Sequence, residues 1–114
     1  INKNLDINSR DKVRSTPLHW ACYAGAENAV CYLIAYGANP NLQDVDGYSP
    51  LHLAVKSAEV IKSSRIVKQL LFCGADRNMM NNEGFKAKDF CKNIVVAHIA
   101  NDIRKSLAEP RYCS

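Results

Sequence analysis

Histidine and cysteine are the residue types here that could hold a metal or activate a nucleophile. The chain carries three histidines and five cysteines in 114 residues. His19 and His52 form the obvious titratable pair, with Cys22 and Cys31 close to the first of them in sequence. A structural metal site needs four convergent ligands. One imidazole in each of two units 33 residues apart does not provide them, so both rings read as structural. The sequence holds no Cys-x-x-Cys, no Gly-rich phosphate loop, no Gly-x-Ser-x-Gly and no His-Glu-x-x-His. No catalytic residue, cofactor or metal is therefore expected in this stretch. The odd cysteine count, without repeated close spacing, points to reduced thiols and a reducing, cytosolic setting. Cys22 and Cys91 sit at small positions where a thiol serves as compact apolar filler, whereas Cys73 and Cys113 are less constrained.

The two histidines belong to a longer repeated pattern. Ser15-Thr16-Pro17-Leu18-His19-Trp20-Ala21 returns at 48–54 as Tyr48-Ser49-Pro50-Leu51-His52-Leu53-Ala54. A hydroxyl residue before Pro-Leu-His suits a helix start: Thr16 and Ser49 cap free N–H groups, and Pro17 and Pro50 fill the first helical position. Asp11 recurs as Asp44 and Asn8 as Asn41, so the period extends beyond one motif. Residues 9–16 then read as a hairpin-like turn, followed by a short inner helix from Pro17 to about Tyr23. Gly25 breaks the chain before a second helix from Glu27 to Tyr36. There Ala29, Val30, Leu33 and Ile34 form one apolar stripe expected to face a neighbouring unit. Gly37 is the expected left-handed terminator. In the second unit Ile66, Val67, Leu70 and Leu71 play the same part and Gly74 ends it. Gly37 and Gly74 lie 37 residues apart, so four extra residues are expected, most simply near 57–64 between the helices.

Composition is consistent with a globular chain of at most one domain, 47% hydrophobic and 23% charged. No apolar run approaches the roughly 18 residues of a membrane helix. A net charge of +4, spread along the chain, argues against nucleic acid as partner.

The pattern Asp-x-x-x-x-Thr-Pro-Leu-His-x-Ala, followed by Gly25, an aliphatic helix and Gly37-Ala38-Asn39-x-Asn41, resembles the ankyrin repeat. It departs from the family at Arg14, where glycine is preferred. The resemblance implies an all-α ankyrin-repeat solenoid. Residues 1–8 would be the tail of a preceding repeat, implying further repeats upstream. Residues 9–41 and 42–78 would be two full repeats, the second with an insertion. Residues 79–108 would be a degenerate capping repeat and 109–114 a tail. In the third copy Lys86-Ala87-Lys88-Asp89-Phe90-Cys91 stands where Thr-Pro-Leu-His-x-Ala would be, polar residues replacing buried ones, as suits a repeat with one neighbour. Val95, Val96, Ile99, Ile103 and Leu107 keep helical spacing after it, and Pro110 marks the stop. A worn internal repeat followed by a linker is the alternative reading.

The same resemblance implies a protein-interaction module that binds a protein or peptide segment on a concave face. Its variable positions map onto Lys12, Val13, Ser15 and Tyr23 in the first full repeat and onto Val45, Asp46, Tyr48 and Lys56 in the second. Trp20, between His19 and Ala21, joins them. Its ring suits either partner contact or packing between repeats, whereas Tyr48 near a hairpin tip suits contact. Tyr32 and Tyr36, on the outer helix, suit ordinary surface or packing roles. The string from Thr16 to Ala21 with Gly25 and Tyr36-Gly37-Ala38-Asn39-Pro40 is more specifically similar to the cytosolic ankyrin domain of membrane palmitoyltransferases of the Asp-His-His-Cys type. In those enzymes the repeats recruit substrates to a zinc-binding, membrane-embedded catalytic part. The resemblance would place this chain in the cytoplasm, at the cytosolic face of a membrane, with Glu109–Ser114 approaching a first membrane helix. A structural spacer within a longer solenoid is the third reading.

Overall fold

The computed structural model describes residues 7–108. The expected tail at Asn4–Asp6 and the approach segment Glu109–Ser114 lie outside them. The described chain is all-α: α1 (Pro17–Ala24), α2 (Glu27–Ala35), α3 (Pro50–Ile61), α4 (Arg65–Phe72), a 3-10 helix (Ala87–Asn93) and α5 (Ala97–Leu107). Extended pairing among the described residues is limited to an isolated bridge between Met80 and Lys86.

The repeated string starts α1 and α3 by the same reciprocal bonding. Thr16 is extended (φ −97°, ψ 168°), and its hydroxyl accepts from the His19 N–H while its own N–H donates to His19 Nδ1 at 3.1 Å. Ser49 and His52 repeat this at 3.4 and 3.1 Å. Two of the donors that a helix start leaves open are thereby satisfied, and proline at the next position has no N–H to satisfy. At the third unit the Lys86 N–H donates to Asp89 Oδ2 at 2.8 Å, so a carboxylate replaces the ring. Lys86 brings no hydroxyl and no proline follows it; the element there is a 3-10 helix.

The four extra residues lengthen a helix. α1 has 8 residues and α3 has 12, a difference of about one turn. Gly25, left-handed at φ 69°, stops α1, and the residue 33 positions on is Ala58, which continues α3. The turn expected in the connection is thus helical up to Ile61, and Lys62 (φ 56°) ends it. Ile61 lies against Gly25, which fixes the added turn on the first repeat.

Packing follows the expected stripes. α1 lies on α3, α3 on the 3-10 helix, α2 on α4, and α4 on α5. Leu18, Val30, Leu51, Val55, Ile66, Val67, Leu70 and Ile103 are buried at the centre. The exception is α2, where Ala29 is exposed and Leu33 only half-buried, while their α4 counterparts Ile66 and Leu70 are covered. In the last unit Ile99, Ile103 and Leu107 face inward, but Val95 and Val96 precede α5, and Val95 is exposed. Lys68 pairs with Asp102 at 2.8 Å and the Ser64 hydroxyl donates to the same carboxylate, clipping α4 to α5.

Polar side chains tie the repeats at a constant step. Asn41 Nδ2 donates to the Gly74 carbonyl at 3.2 Å and Asn41 Oδ1 accepts from the Asp76 N–H at 2.7 Å. Asn8 Oδ1 takes the Asn39 N–H one repeat earlier, at 2.8 Å. Between hairpin tips, Val45 N–H donates to Val13 O at 2.9 Å and Asn82 N–H to Asp46 O at 3.0 Å. No described helix is long and apolar enough to cross a membrane.

Candidate binding groove

The first two hairpins and the inner helices α1 and α3 border an open groove of about 410 Å³. Val13, Ser15, Trp20 and Tyr23 line it from the first repeat, and Val45, Asp46, Tyr48 and Lys56 from the second. These are eight of the nine residues picked from the sequence; Lys12 is exposed beside them and does not line it. Ser15 is buried at its floor. Sequence reasoning passed over Asp44 and Leu53, which line it too. Leu53 was legible, since it fills between His52 and Ala54 the slot that Trp20 fills between His19 and Ala21.

Trp20 is 52% exposed, so it is not a core residue. Its indole N–H donates to Asp11 Oδ2 at 2.8 Å and its ring meets Tyr23 edge-to-face at 6.1 Å. A large ring held at both ends keeps little freedom to lose on contact, which favours it as a binding surface. Asp11 is itself committed: its other oxygen accepts the Val13 and Ser15 N–H groups at 3.0 and 2.9 Å. The Ser15 N–H foremost, and the Trp20 N–H with it, hold this carboxyl below its ordinary value. Asp44 Oδ1 makes the equivalent bonds to Asp46 and Tyr48, both at 2.9 Å, and Asn81 Oδ1 those to Glu83 and Phe85.

Tyr48 is half-buried, with its ring 5.9 Å from Phe90. Lys56 Nζ lies 4.8 Å from the Tyr48 ring centre and 5.4 Å from that of Phe90, a cation held over two aromatic faces.

The histidines use both nitrogens internally. His19 Nδ1 accepts from Thr16, so Nε2 carries the proton and donates to the Tyr48 carbonyl at 2.9 Å. His52 does the same toward the Phe85 carbonyl at 2.9 Å. Burial pushes both rings below the ordinary imidazole value. Neither ring has a lone pair left for a metal, and among the described residues no group of three or more metal-ligating side chains converges. Burial pushes the Cys22 thiol up to about 12 and raises that of Cys91, so neither is an activated nucleophile. Tyr32, on α2, and Tyr36, just past its end, are exposed and pack on each other at 4.6 Å, away from the groove.

The family model for ankyrin repeats (3 copies) matches residues 1–81. The chain belongs to the ankyrin-repeat family. Among curated proteins, this ankyrin chain is 37% identical over 62 residues to a palmitoyltransferase AKR1 of Lachancea kluyveri, covering 54% of the chain and 8% of that protein. It is 34% identical over 93 residues to a probable palmitoyltransferase AKR2 of Saccharomyces uvarum, covering 82% of the chain and 12% of the relative. Over 109 residues, 94% of the chain and 7% of the relative, it is 26% identical to the E3 ubiquitin-protein ligase KEG of Arabidopsis thaliana. The ankyrin chain thus spans about a tenth of the length of the relatives it matches.

Proposed function

We propose that this ankyrin segment binds a protein or peptide segment in the groove between its first two hairpins and inner helices, on the concave side of the array, and is itself non-catalytic. The observation that carries this reading is the convergence of Val13, Trp20, Tyr23, Val45, Asp46, Tyr48 and Lys56 on one groove although they are scattered over 44 positions. Exposed, tethered aromatic rings are the commonest anchors of protein contacts. The test compares proteins captured from a lysate by the chain and by a Trp20→Ala, Tyr48→Ala double variant, with circular dichroism as the folding control. A captured set unchanged by the double substitution in a folded chain sinks the reading.

A second reading places the segment in a longer protein S-acyltransferase, where it would gather substrates at the cytosolic face of a membrane. Two relatives named as palmitoyltransferases, each matched over about a tenth of its length, favour it. It requires an Asp-His-His-Cys sequence between apolar spans in the parent protein. Sequencing the parent transcript decides it. On either reading a further ankyrin repeat would cover the bare α2 stripe at Ala29 and Leu33, as α2 itself covers Ile66 and Leu70 of α4.

A further inference from the structure

The hairpins share one bracket and differ in what meets its second oxygen. In the first, Asp11 Oδ1 binds two backbone N–H groups and Oδ2 takes the Trp20 indole N–H at 2.8 Å. In the second, Asp44 Oδ1 binds the Asp46 and Tyr48 N–H groups, and the slot of Trp20 is filled by Leu53, which has no donor to offer. Asp44 lines the groove, half-buried, and Asp46 stands exposed at its edge. The one ammonium that the described residues bring to the lining, that of Lys56, is held over Tyr48 and Phe90. Two carboxylates against one ammonium, with His19 neutral, give the described lining a charge of −1 in a chain whose formal charge is +4, although Asp44 also borders a second cleft lined by Arg10 and Arg14. Beside the carboxylates lie the Trp20 and Tyr23 rings and the apolar rim of Val13 and Val45.

Resting on the reading of this groove as a protein-binding site, we infer that its occupant carries an arginine flanked by apolar residues, the guanidinium meeting Asp44 and Asp46 while the neighbours cover Trp20 and Tyr23. A planar guanidinium donates to two carboxylates at once and stacks on aromatic faces, which a compact ammonium does less well. An acidic segment meets like charge at the same two positions, so charge complementarity selects a basic occupant.

The probe is a phage-displayed library of random peptides selected on the 114-residue chain, each selected peptide then titrated by Trp20 emission and by calorimetry. Arginine is expected in the selected set, its replacement by the neutral isostere citrulline weakening binding about tenfold. In a chain carrying Asp44→Asn and Asp46→Asn, which keeps the amide oxygen for the Asp44 bracket, that citrulline penalty is expected to fall below about twofold. Peptides that need Trp20 but carry no cation, or lose nothing with citrulline, overturn the arginine proposal and leave the groove reading standing. Peptides that bind the Trp20→Ala chain as well as the parent, or a selection that yields no binder, overturn both.

Discussion

His19 Nε2 donates to the Tyr48 carbonyl at 2.9 Å, so a ring on the inner helix of one repeat holds the hairpin of the next. The same ring accepts the N–H of its own helix cap, Thr16, at 3.1 Å. One side chain therefore starts a helix and sets the spacing between repeats. His52 does so again for Phe85, whereas Asp89, in the third unit, keeps only the bond to its own cap.

His52→Ala should leave the buried Ser49 N–H without its partner and take from the Phe85 carbonyl one of its two donors, the Asn81 N–H remaining. An unpaired buried donor costs about 1–3 kcal/mol, so the substitution is expected to remove about that much. Urea unfolding monitored by circular dichroism measures it. A midpoint within error of the parent would show that the ring is dispensable.

Acid should weaken the fold through both rings. Burial lowers the His19 and His52 values below 6.5, so the folded chain resists protonation that the unfolded chain accepts. Their contribution is complete above about pH 6.5 and is lost as pH falls through the lower folded-state values. Thermal midpoints at pH 7.5 and 5.5 are expected to differ, with the loss reduced in His19→Gln and His52→Gln variants. Equal losses in parent and variants would assign the effect to other groups.

Arg14→Gly should stabilise the chain. Arg14 sits at φ 62°, the left-handed region that Gly47 and Gly84 adopt at 84° in the following hairpins. A non-glycine residue there costs about 1–2 kcal/mol. Glycine gives back about 0.5–1 kcal/mol in unfolded-chain freedom, leaving a gain on the order of 0.5–1 kcal/mol. A lower denaturation midpoint in the glycine variant would reject the strain argument.

Leu51→Asp should unfold the array, because Leu51 is 1% exposed between inner helices and a carboxylate there finds no partner. Size-exclusion elution with circular dichroism reads the result. A folded, monomeric Leu51→Asp chain would show that the repeat register is misassigned.

Most of the fold was legible because local chemistry repeats: Thr16 or Ser49, then proline, then histidine specify a helix start before any tertiary contact exists. The added turn of α3 falls within the expected 57–64 window but extends the helix instead of the connection, since a four-residue excess in sequence does not say whether it lengthens a helix or a loop. The comparison of Gly25 with Ala58 carries the answer, because only the glycine invites the left-handed stop. Val95 and Val96 matched helical spacing but lie ahead of α5, for periodicity alone does not mark where a helix begins. The grouping of variable positions at the groove followed from their register in the repeat. What register left open was the state of Trp20: its tether to Asp11, nine residues away, depends on how the hairpin folds back over α1.

The anchoring of each hairpin from the unit before it couples recognition to the neighbouring helix. Val45, Asp46 and Tyr48 form one wall of the groove, yet the ring that secures that wall, His19, belongs to the opposite side. A lesson for reading natural variants follows: a change at His19 strikes the α1 cap and the facing wall together, leaving the Val13–Val45 backbone bond to tie that wall to the first repeat.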